Sequence, residues 1–402
     1  MNPGAAIARP VFASRSEAVS RARELIPLLR EKAGSADANR DVAAETIAAI
    51  SSAGLFRLMA PKEFGGSQLG LAALVEVGAE LASGCGSTGW LYSVLGGHNW
   101  LTSLFPVETQ REVFDDPDSL VASVVRLGGE RPKPCDGGFR VRNAVGKYCS
   151  GVAHASWIVL GAGVERADGS VTPTYLLAPK SDVEVVDDWF TVGLRGTGSR
   201  TLRVKDAFVP ARRALAIADL SRGLSPGARH HDAPLYRAPF PQILAISLAG
   251  APIGVARAGL DAFKEAFRAR MEGWPAAQIG EQAGFFMRVA EAGADIDAAF
   301  ALLLKDGLEI DAADNGNAAA AIDRARWMRD ISHAAWRCRL AVNSLFEAGG
   351  GSAVYDTHAL QRVWRDINAA AAHNSFARER AGGMYGRAAL GIEPSVFDRI
   401  GH

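Results

Sequence analysis

The sequence predicts an α+β protein in which helix dominates, and two observations on its 402 residues support that prediction. Apolar residues recur at helical spacing in residues 1–120 and again in residues 239–402. Residues 121–228 instead hold short β-branched segments punctuated by Gly, Pro and Asp, a pattern typical of strands and turns. We therefore expect an N-terminal helical domain, a central antiparallel β barrel or sandwich, and a C-terminal four-helix bundle, in that order.

Helices are expected in the first domain because its segments pair an apolar face with a charged one. The first segment is "SEAVSRARELIPLLREKA", and the second is "NRDVAAETIAAISSAGLF", with Gly54 as its expected C-terminal stop. A third helix is expected from "LAALVEVGAELAS", which leads directly into a fourth.

The fourth helix, residues 84–100, has a composition that a helix built only to fill a core does not need. Its sequence, "GCGSTGWLYSVLGGHNW", combines many Gly residues with two Trp, one Tyr and one His. Small residues let a flat ligand approach the backbone closely, and aromatic side chains give such a ligand a wall. The imidazole of His98 is suited to act there as an acid or a base. This helix therefore suggests a flat cofactor.

The central domain is expected to be a sheet because four of its segments are short and β-branched. They are "FRVRNAVGKYC", "SWIVLGAGVE", "VTPTYLLAP" and "TLRVKDAFVP". Ser150 and Gly151 interrupt a strand, where they either present a hydroxyl and a backbone N–H to a ligand or form a β-bulge. "GTGS" at 196–199 lies between strands, and we interpret it as a turn.

The last domain is expected to be a bundle of four long amphipathic helices, the first of them running unbroken from residue 241 to 271. In the last helix, "AAAA" gives a smooth face on which something bulky can lie, and His373 and Asn374 follow it. Taken alone, His373 is most simply a histidine that packs between helices.

Composition excludes several classes of function. The 44 basic and 44 acidic residues give a formal net charge of zero, so we expect neither nucleic-acid binding nor a polybasic membrane surface. The four cysteines form no C-x-x-C pair, which predicts a protein of the reducing cytoplasm without a zinc or disulfide framework. His230 and His231 are interpreted as part of a solvated linker rather than a metal site. The apolar stretch Ile243–Ala256 is too short to span a bilayer.

No sequence fingerprint indicates a Rossmann dinucleotide site, a P-loop, an α/β-hydrolase or a zinc protease of the H-E-x-x-H type. The motifs that are present resemble those of the acyl-CoA dehydrogenase-like flavin monooxygenases, the oxygenase components of two-component systems. They are "FRLMAPKEFGGSQLG", "STGW" followed by His98, "CSG", "DDWFTVGLRGTGSRTLRVKDAFVP" and "RVWRDINAAAAH", and they extend over nearly the whole chain.

The resemblance implies an acyl-CoA dehydrogenase-like fold and a mechanism. A separate NAD(P)H:flavin reductase would supply reduced FMN or FAD, and the protein would shelter a C4a-hydroperoxyflavin formed with O₂. A dry pocket suits such an adduct because water and stray protons destroy it. One oxygen atom would then pass to a phenolic aromatic substrate, or alternatively to the nitrogen or sulfur of an amine, amino sugar or heterocycle. No metal takes part.

The resemblance also implies roles for individual residues. His98, Ser150 and His373 would be catalytic: His98 as base toward the substrate, Ser150 as a hydrogen-bond partner of the flavin, and His373 as stabiliser of the peroxide. The expected cofactor-binding residues are Thr88, Trp90, Ser150, Gly151, Trp189, Arg268, Arg270 and Asn374. The two arginines would contact the flavin phosphate from a neighbouring subunit of a homotetramer.

Two other functions compete with this one. An acyl-CoA dehydrogenase with bound FAD would need a catalytic carboxylate shortly after the "RD" of the last helix. The sequence has His373 and Asn374 at that place, and Glu379 further on is interpreted as a surface charge. A non-catalytic scaffold is the other alternative, and the presence of His98, Ser150 and His373 together argues against it.

Overall fold

The computed structural model describes residues 9–166, 168–313 and 319–393. The helices that precede the sheet region are α1 (Arg15–Asn39), α2 (Ala44–Ser52), α3 (Leu71–Gly84), α4 (Gly86–Thr102) and α5 (Val107–Phe114). The expected stop at Gly54 is confirmed, because this residue follows α2 with a φ of 77°. A Cβ at that position would lie 2.3 Å from the carbonyl oxygen of Pro10, so only glycine fits.

The strands form two sheets, in the orders β1-β5-β6-β9 and β2-β4-β8-β7, with β3 also paired to β4. Their bounds are β1 (Val121–Val124), β2 (Leu127–Gly129), β3 (Lys133–Cys135), β4 (Gly138–Cys149), β5 (Trp157–Glu165), β6 (Val171–Pro179), β7 (Glu184–Val186), β8 (Arg200–Pro210) and β9 (Ala214–Ala216).

The expectation of a wholly antiparallel sheet is wrong at one edge, where β1 pairs with β5 in parallel, Val121 opposite Trp157. A parallel pair needs a long crossover connection. Strands β2, β3 and β4 supply it, since they lie between β1 and β5 in the chain but belong to the other sheet.

Helices return after β9 and continue to the end of the described chain. They are α6 (Ile217–Ser221), α7 (Pro226–His230), α8 (Gln242–Ser247), α9 (Gly250–Met271), α10 (Ala276–Gly280), α11 (Ala283–Ala312), α12 (Ala321–Gly349), α13 (Ala359–Ala371) and α14 (Arg378–Ala389). The single helix expected over residues 241–271 is divided into α8 and α9. Pro252 explains the division, because it has no N–H to continue the helical ladder and is tolerated only in the first turn of α9.

The segment Gln242–Met271 is long and apolar enough to cross a membrane by length and composition, but 78% of its most apolar window is buried inside the protein. It is therefore a core helix. Close packing supports this, since a Cβ on Gly250 would lie 2.2 Å from the carbonyl oxygen of Val75 on α3.

The helical bundle docks onto the N-terminal helices through a side-chain cap. The carboxylate of Asp311, near the end of α11, accepts hydrogen bonds from the backbone N–H groups of Leu71 at 2.6 Å and Ala72 at 3.0 Å. These N–H groups lie in the first turn of α3, where backbone N–H groups have no carbonyl acceptor within the helix. The contact fixes α3, and α4 beside it, relative to the bundle.

Candidate functional site

Helix α4 is held closely against its neighbours by its glycines. A Cβ on Gly89 would lie 2.3 Å from the Cβ of Ala82 on α3, and one on Gly97 would lie 3.0 Å from the hydroxyl of Ser247. These glycines therefore serve helix packing rather than the approach of a ligand, which corrects the sequence-based interpretation. Tyr92 and Trp100 are also core residues, both almost fully buried. Among the aromatic residues of this helix, Trp90 is the one that meets the C-terminal segment.

Trp90 and His373 come together although they lie far apart in the sequence. Their rings meet edge to face with centroids 5.3 Å apart, and Phe376 packs against both, at 6.4 Å from Trp90 and 6.1 Å from His373. Edge-to-face contacts of this kind fix ring orientation. The pair forms one wall of the candidate site.

His98 offers a free lone pair. Its Nδ1 lies 2.7 Å from the carbonyl oxygen of Val121, and because a carbonyl only accepts, the proton must be on Nδ1. Nε2 therefore keeps its lone pair, and it has no hydrogen-bond partner within the part of the chain that the structure describes. Burial lowers the pKa of His98 to about 4, so the ring is neutral near pH 7.

His373 has the opposite tautomer. The backbone N–H of Ser375 donates to its Nδ1 at 3.2 Å, so the proton of the neutral ring is on Nε2. Burial, with a smaller contribution from the Arg380 guanidinium, lowers the pKa of His373 to about 4. The residue nevertheless keeps part of its surface open to solvent. His373 is thus a hydrogen-bond donor where His98 is an acceptor.

Ser150 stands at the end of a relay of hydroxyl groups. Its Oγ lies 2.7 Å from the Oγ of Ser199, which lies 2.7 Å from Oγ1 of Thr197, which lies 2.8 Å from the carbonyl oxygen of Leu194. The carbonyl can only accept, and each hydroxyl has a single proton. Thr197 therefore donates to Leu194, Ser199 to Thr197, and Ser150 to Ser199. The proton of Ser150 is engaged, and its oxygen is left as an acceptor.

Gly151 follows in a turn, with a φ of 70°, and the β-ladder shifts register just before it, between Gly146 and Cys149. Its N–H donates to the carbonyl oxygen of Thr197 at 3.0 Å. Of the two alternatives left open by the sequence, the backbone therefore fits the β-bulge, and the N–H of Gly151 is engaged within the protein. The turn rests on α4, where a Cβ on Gly151 would lie 3.1 Å from Leu91.

Leu194 holds the relay in place through an unusual backbone. Its φ is 50°, in the left-handed region that a residue with a branched side chain rarely adopts. The N–H of Leu194 donates to Oδ1 of Asp366 on α13 at 2.6 Å, and Nε1 of Trp189 donates to its carbonyl oxygen at 3.1 Å. Asp366 thus ties the loop after β7 to the bundle.

Asp366 is buried, and burial raises its pKa to about 6. Between about pH 4 and pH 6 the folded protein holds this proton more tightly than the unfolded chain, so the contribution of this carboxyl to stability decreases as pH rises. The free energy of unfolding that is lost in this way is about 3 kcal/mol, since one pKa unit corresponds to about 1.4 kcal/mol.

Asp366→Asn keeps an acceptor for the N–H of Leu194 and removes the ionisation. The melting temperature of this variant, relative to that of wild type, should therefore rise between pH 4.5 and 7.

Calorimetric scans of both proteins across that range test this expectation. Asp297→Asn, on the exposed face of α11, is the control and should show the same pH profile as wild type. Parallel profiles for wild type and Asp366→Asn would contradict the assigned pKa.

The remaining predicted cofactor residues lie in different surroundings. Thr88 is fully buried and hydrogen-bonds with Cys85. Asn374 is exposed and begins a short 3₁₀ helix after His373. Arg268 and Arg270 are exposed in the last turn of α9, and within one chain no recorded contact joins them to Trp90 or Ser150.

The sequence-based interpretation missed three residues of the site, Thr197, Ser199 and Asp366. The first two belong to "GTGS", which was interpreted as a turn, and the third to the "RD" of the last long helix. The "GTGS" loop does turn, but a Cβ on Gly196 would lie 3.0 Å from the Cβ of Ser87 on α4. The hydroxyl groups of a turn that lies so close to a helix could have been recognised as site residues.

The site fits a reduced flavin. The flavin ring is flat and aromatic, and when reduced it has an N–H at its centre that needs an acceptor. Ser150 supplies an acceptor, and Trp90 with His373 supplies a wall. On the sheet side, Tyr148 and Phe190 are 71% and 70% exposed, and Tyr148 meets Trp189 edge to face at 6.4 Å. These exposed aromatic side chains are available to pack against a flat ligand.

Comparison with known proteins agrees with this chemistry. The family profile of the acyl-CoA dehydrogenase N-terminal domain matches residues 20–114, and that of the C-terminal domain matches residues 246–378. The oxygenase subunit of a flavin-dependent monooxygenase from Rhodococcus jostii is 34% identical over 371 residues, 92% of this chain and 97% of that protein.

Two further similarities are of the same kind. The oxygenase component of an FADH₂-dependent resorcinol hydroxylase from Rhizobium sp. is 33% identical over 391 residues, 94% of either chain. The crystal structure of 3-HSA hydroxylase from Rhodococcus sp. superposes with a TM-score of 0.89 at 34% identity, covering 95% of this chain and 99% of that one. The chain therefore belongs to the oxygenase components of the flavin-dependent monooxygenases, built on the acyl-CoA dehydrogenase fold.

Proposed function

We propose that this protein takes reduced FMN or FAD from a separate NAD(P)H:flavin reductase and hydroxylates a small phenolic substrate. The reduced flavin supplies two electrons and two protons, so that one oxygen atom of O₂ enters an aromatic C–H bond and the other leaves as water. The observation that carries the proposal is the engaged proton of Ser150, which leaves its oxygen as an acceptor for the N–H of the reduced flavin.

Ser150, His98 and His373 then each have a role that their hydrogen bonds define. Ser150 accepts the N–H of the reduced ring. His98 accepts the phenolic proton at Nε2, which increases the electron density of the aromatic ring that is attacked. His373 donates from Nε2 to the oxygen that leaves, because its Nδ1 is already engaged. Thr88, Trp90 and Trp189 exclude water around them.

A phenol fits this site better than an amine or a thioether. A neutral imidazole with a free lone pair suits the acidic O–H of a phenol, whereas the N–H of an amine is far less acidic and a thioether has no such proton. Resorcinol, named for one relative, is a phenol. The acyl-CoA dehydrogenase alternative needs a carboxylate near His373, and Glu379 is exposed at the start of α14.

The test is hydroxylation under ¹⁸O₂. The protein, a flavin reductase, NADH and a set of simple phenols should give a product that is heavier by one ¹⁸O atom, with the reductase omitted as control. Reduction of bound FAD by acyl-CoA thioesters, with no labelled phenol, would identify a dehydrogenase instead.

A homotetramer is part of the proposal, because several large apolar side chains of the described bundle helices are exposed in one chain. The large apolar side chains that are exposed on α11 and α12 are Phe286, Met287, Leu308, Ile322 and Leu340. Contiguous exposed apolar surface on a folded protein usually marks an interface. We further infer a cytoplasmic location, since all four cysteines are free thiols.

In a tetramer, Arg268 and Arg270 could bind the flavin of a neighbouring subunit, whereas within one chain they do not contact Trp90 or Ser150. Exposed at the end of α9, they would reach the flavin phosphate of a neighbouring subunit. Replacing both by Ala should weaken flavin binding about 10-fold or more, because charge-assisted hydrogen bonds contribute about 1.5–3 kcal/mol each. Equilibrium titration with reduced flavin measures this, and Arg131→Ala, in the exposed sheet region, is the matched control. Unchanged affinity in the double variant would remove both arginines from the site.

A further inference from the structure

Glu63, His230 and His231 form a cluster that shares no residue with the candidate flavin site. Their potential ligand atoms all lie within 4.8 Å of one another. Glu63 belongs to a 3₁₀ helix at Lys62–Phe64, and the histidines end α7 in the segment that joins the sheets to the bundle. The interpretation of this segment as solvated is wrong for His231, which is only 8% exposed.

The hydrogen bonds around His231 fix its tautomer. Both N–H bonds of the Gln110 side-chain amide are engaged, with the carbonyl oxygens of Ser103 at 3.0 Å and Phe105 at 2.8 Å. The amide therefore cannot be turned over, and its oxygen faces Nε2 of His231 at 2.9 Å. Nε2 must carry the proton and donate it. Nδ1 is left with a lone pair.

That lone pair points at a carboxylate. Nδ1 of His231 lies 3.4 Å from Oε1 of Glu63, so two acceptors face each other, an arrangement that a proton or a metal cation between them would stabilise. Nε2 of His230 lies 3.0 Å from the same oxygen. Ligand atoms about 2.0–2.1 Å from a tetrahedral Zn²⁺ are roughly 3.4 Å apart, so the spacing is that of neighbouring ligands.

We propose that Glu63, His230 and His231 bind a divalent transition-metal ion of the Zn²⁺ class. Two imidazoles and one carboxylate are a donor set that such ions prefer over Mg²⁺ or Ca²⁺. Gln110 acts as a positioning residue, since a ligating histidine usually donates its other N–H to a neighbouring acceptor. The ion would join the N-terminal domain to the linker that precedes the bundle, and it has no part in the flavin reaction.

Metal binding is tested on the full-length, untagged protein after dialysis against EDTA. Calorimetric titration with Zn²⁺ should give one site per chain. Glu63→Gln and His230→Gln, both at exposed side chains, should weaken it by at least about 10-fold, the lower end of what losing even an outer-shell partner costs. His333→Gln, at an exposed histidine on α12, is the control and should bind as wild type does.

Cobalt provides a second measurement, because Co²⁺ in a tetrahedral site absorbs visible light strongly. Wild type and His333→Gln should develop this absorption, and Glu63→Gln and His230→Gln should lose it. No binding of either ion would mean that a proton rather than a metal lies between His231 and Glu63, and would overturn the proposal. Binding that both substitutions leave unchanged would overturn it as well.

Discussion

Replacing His98 by Ala should lower the rate of phenol hydroxylation by about 10²–10⁴-fold, the range that a positioned acid or base contributes. The reason is the free lone pair at Nε2, which the Nδ1–Val121 hydrogen bond secures. Without it, the phenolic proton has no acceptor in a buried site, and the aromatic ring is less reactive. Flavin binding and flavin oxidation by O₂ should continue, because His98 acts on the substrate.

The measurement compares product formed with hydrogen peroxide released, per reduced flavin consumed. His98→Ala should convert most of the flavin's electrons into hydrogen peroxide while substrate is bound. His98→Gln is the matched variant, since its amide can place an acceptor near the position of Nε2 and should recover part of the coupling. A His98→Ala enzyme that still couples flavin oxidation to hydroxylation would exclude His98 as the base.

His373→Ala separates the two histidines. This variant lacks the Nε2–H group that is proposed to donate a hydrogen bond to the peroxide oxygen. Release of hydrogen peroxide should therefore rise even when no substrate is present. His98→Ala without substrate should behave as wild type does. Identical behaviour of the two variants in the absence of substrate would contradict the opposite tautomers assigned to them.

Helical periodicity predicted the long elements of the fold well. α1, α3 and α4 lie where their apolar spacing placed them, because a helix is determined by residues close to it in sequence. The parallel pairing of β1 with β5 could not be predicted in this way. Which strand lies next to another depends on how the sheets pack, and the sequence of either strand alone does not contain that information.

The same distinction between local and long-range information applies to the residues of the site. Residue type and the family resemblance were enough to single out His98 and His373, and their roles stay predictions. Asp366 could not, because its role depends on a hydrogen bond to Leu194, 172 residues away. His231 was misplaced for the same reason, since Gln110, which fixes its tautomer, lies 121 residues away.

Thr197 provides a test of the hydroxyl relay at a distance from the flavin. In Thr197→Val the carbonyl oxygen of Leu194 loses its hydroxyl donor and Ser199 loses its acceptor. The proton of Ser199 can then turn toward Ser150, and the proton of Ser150 toward the flavin. Oxidised flavin has an acceptor where reduced flavin has an N–H, so the variant should lose preference for the reduced form.

We expect the ratio of the dissociation constants of oxidised and reduced flavin to fall about 5–100-fold in Thr197→Val. The estimate follows from about 1–3 kcal/mol for a buried acceptor left facing another acceptor. Anaerobic titrations monitored by flavin absorbance or fluorescence measure both constants without turnover. Ser199→Ala should show the same fall, because it breaks the relay one step closer to Ser150.

Thr197→Ser is the decisive control, because it keeps the hydroxyl and removes only a methyl group. Thr197→Ser should retain the wild-type ratio of the two dissociation constants. If Thr197 served packing alone, the Ser and Val variants would differ in their free energy of unfolding but not in this ratio. If Thr197→Val, Thr197→Ser and wild type give one ratio, the relay does not set the proton of Ser150, and the preference for reduced flavin must come from the shape of the site. If only Val changes the ratio, the hydroxyl of Thr197, two hydrogen bonds away from Ser150, determines which redox form of the flavin the enzyme accepts.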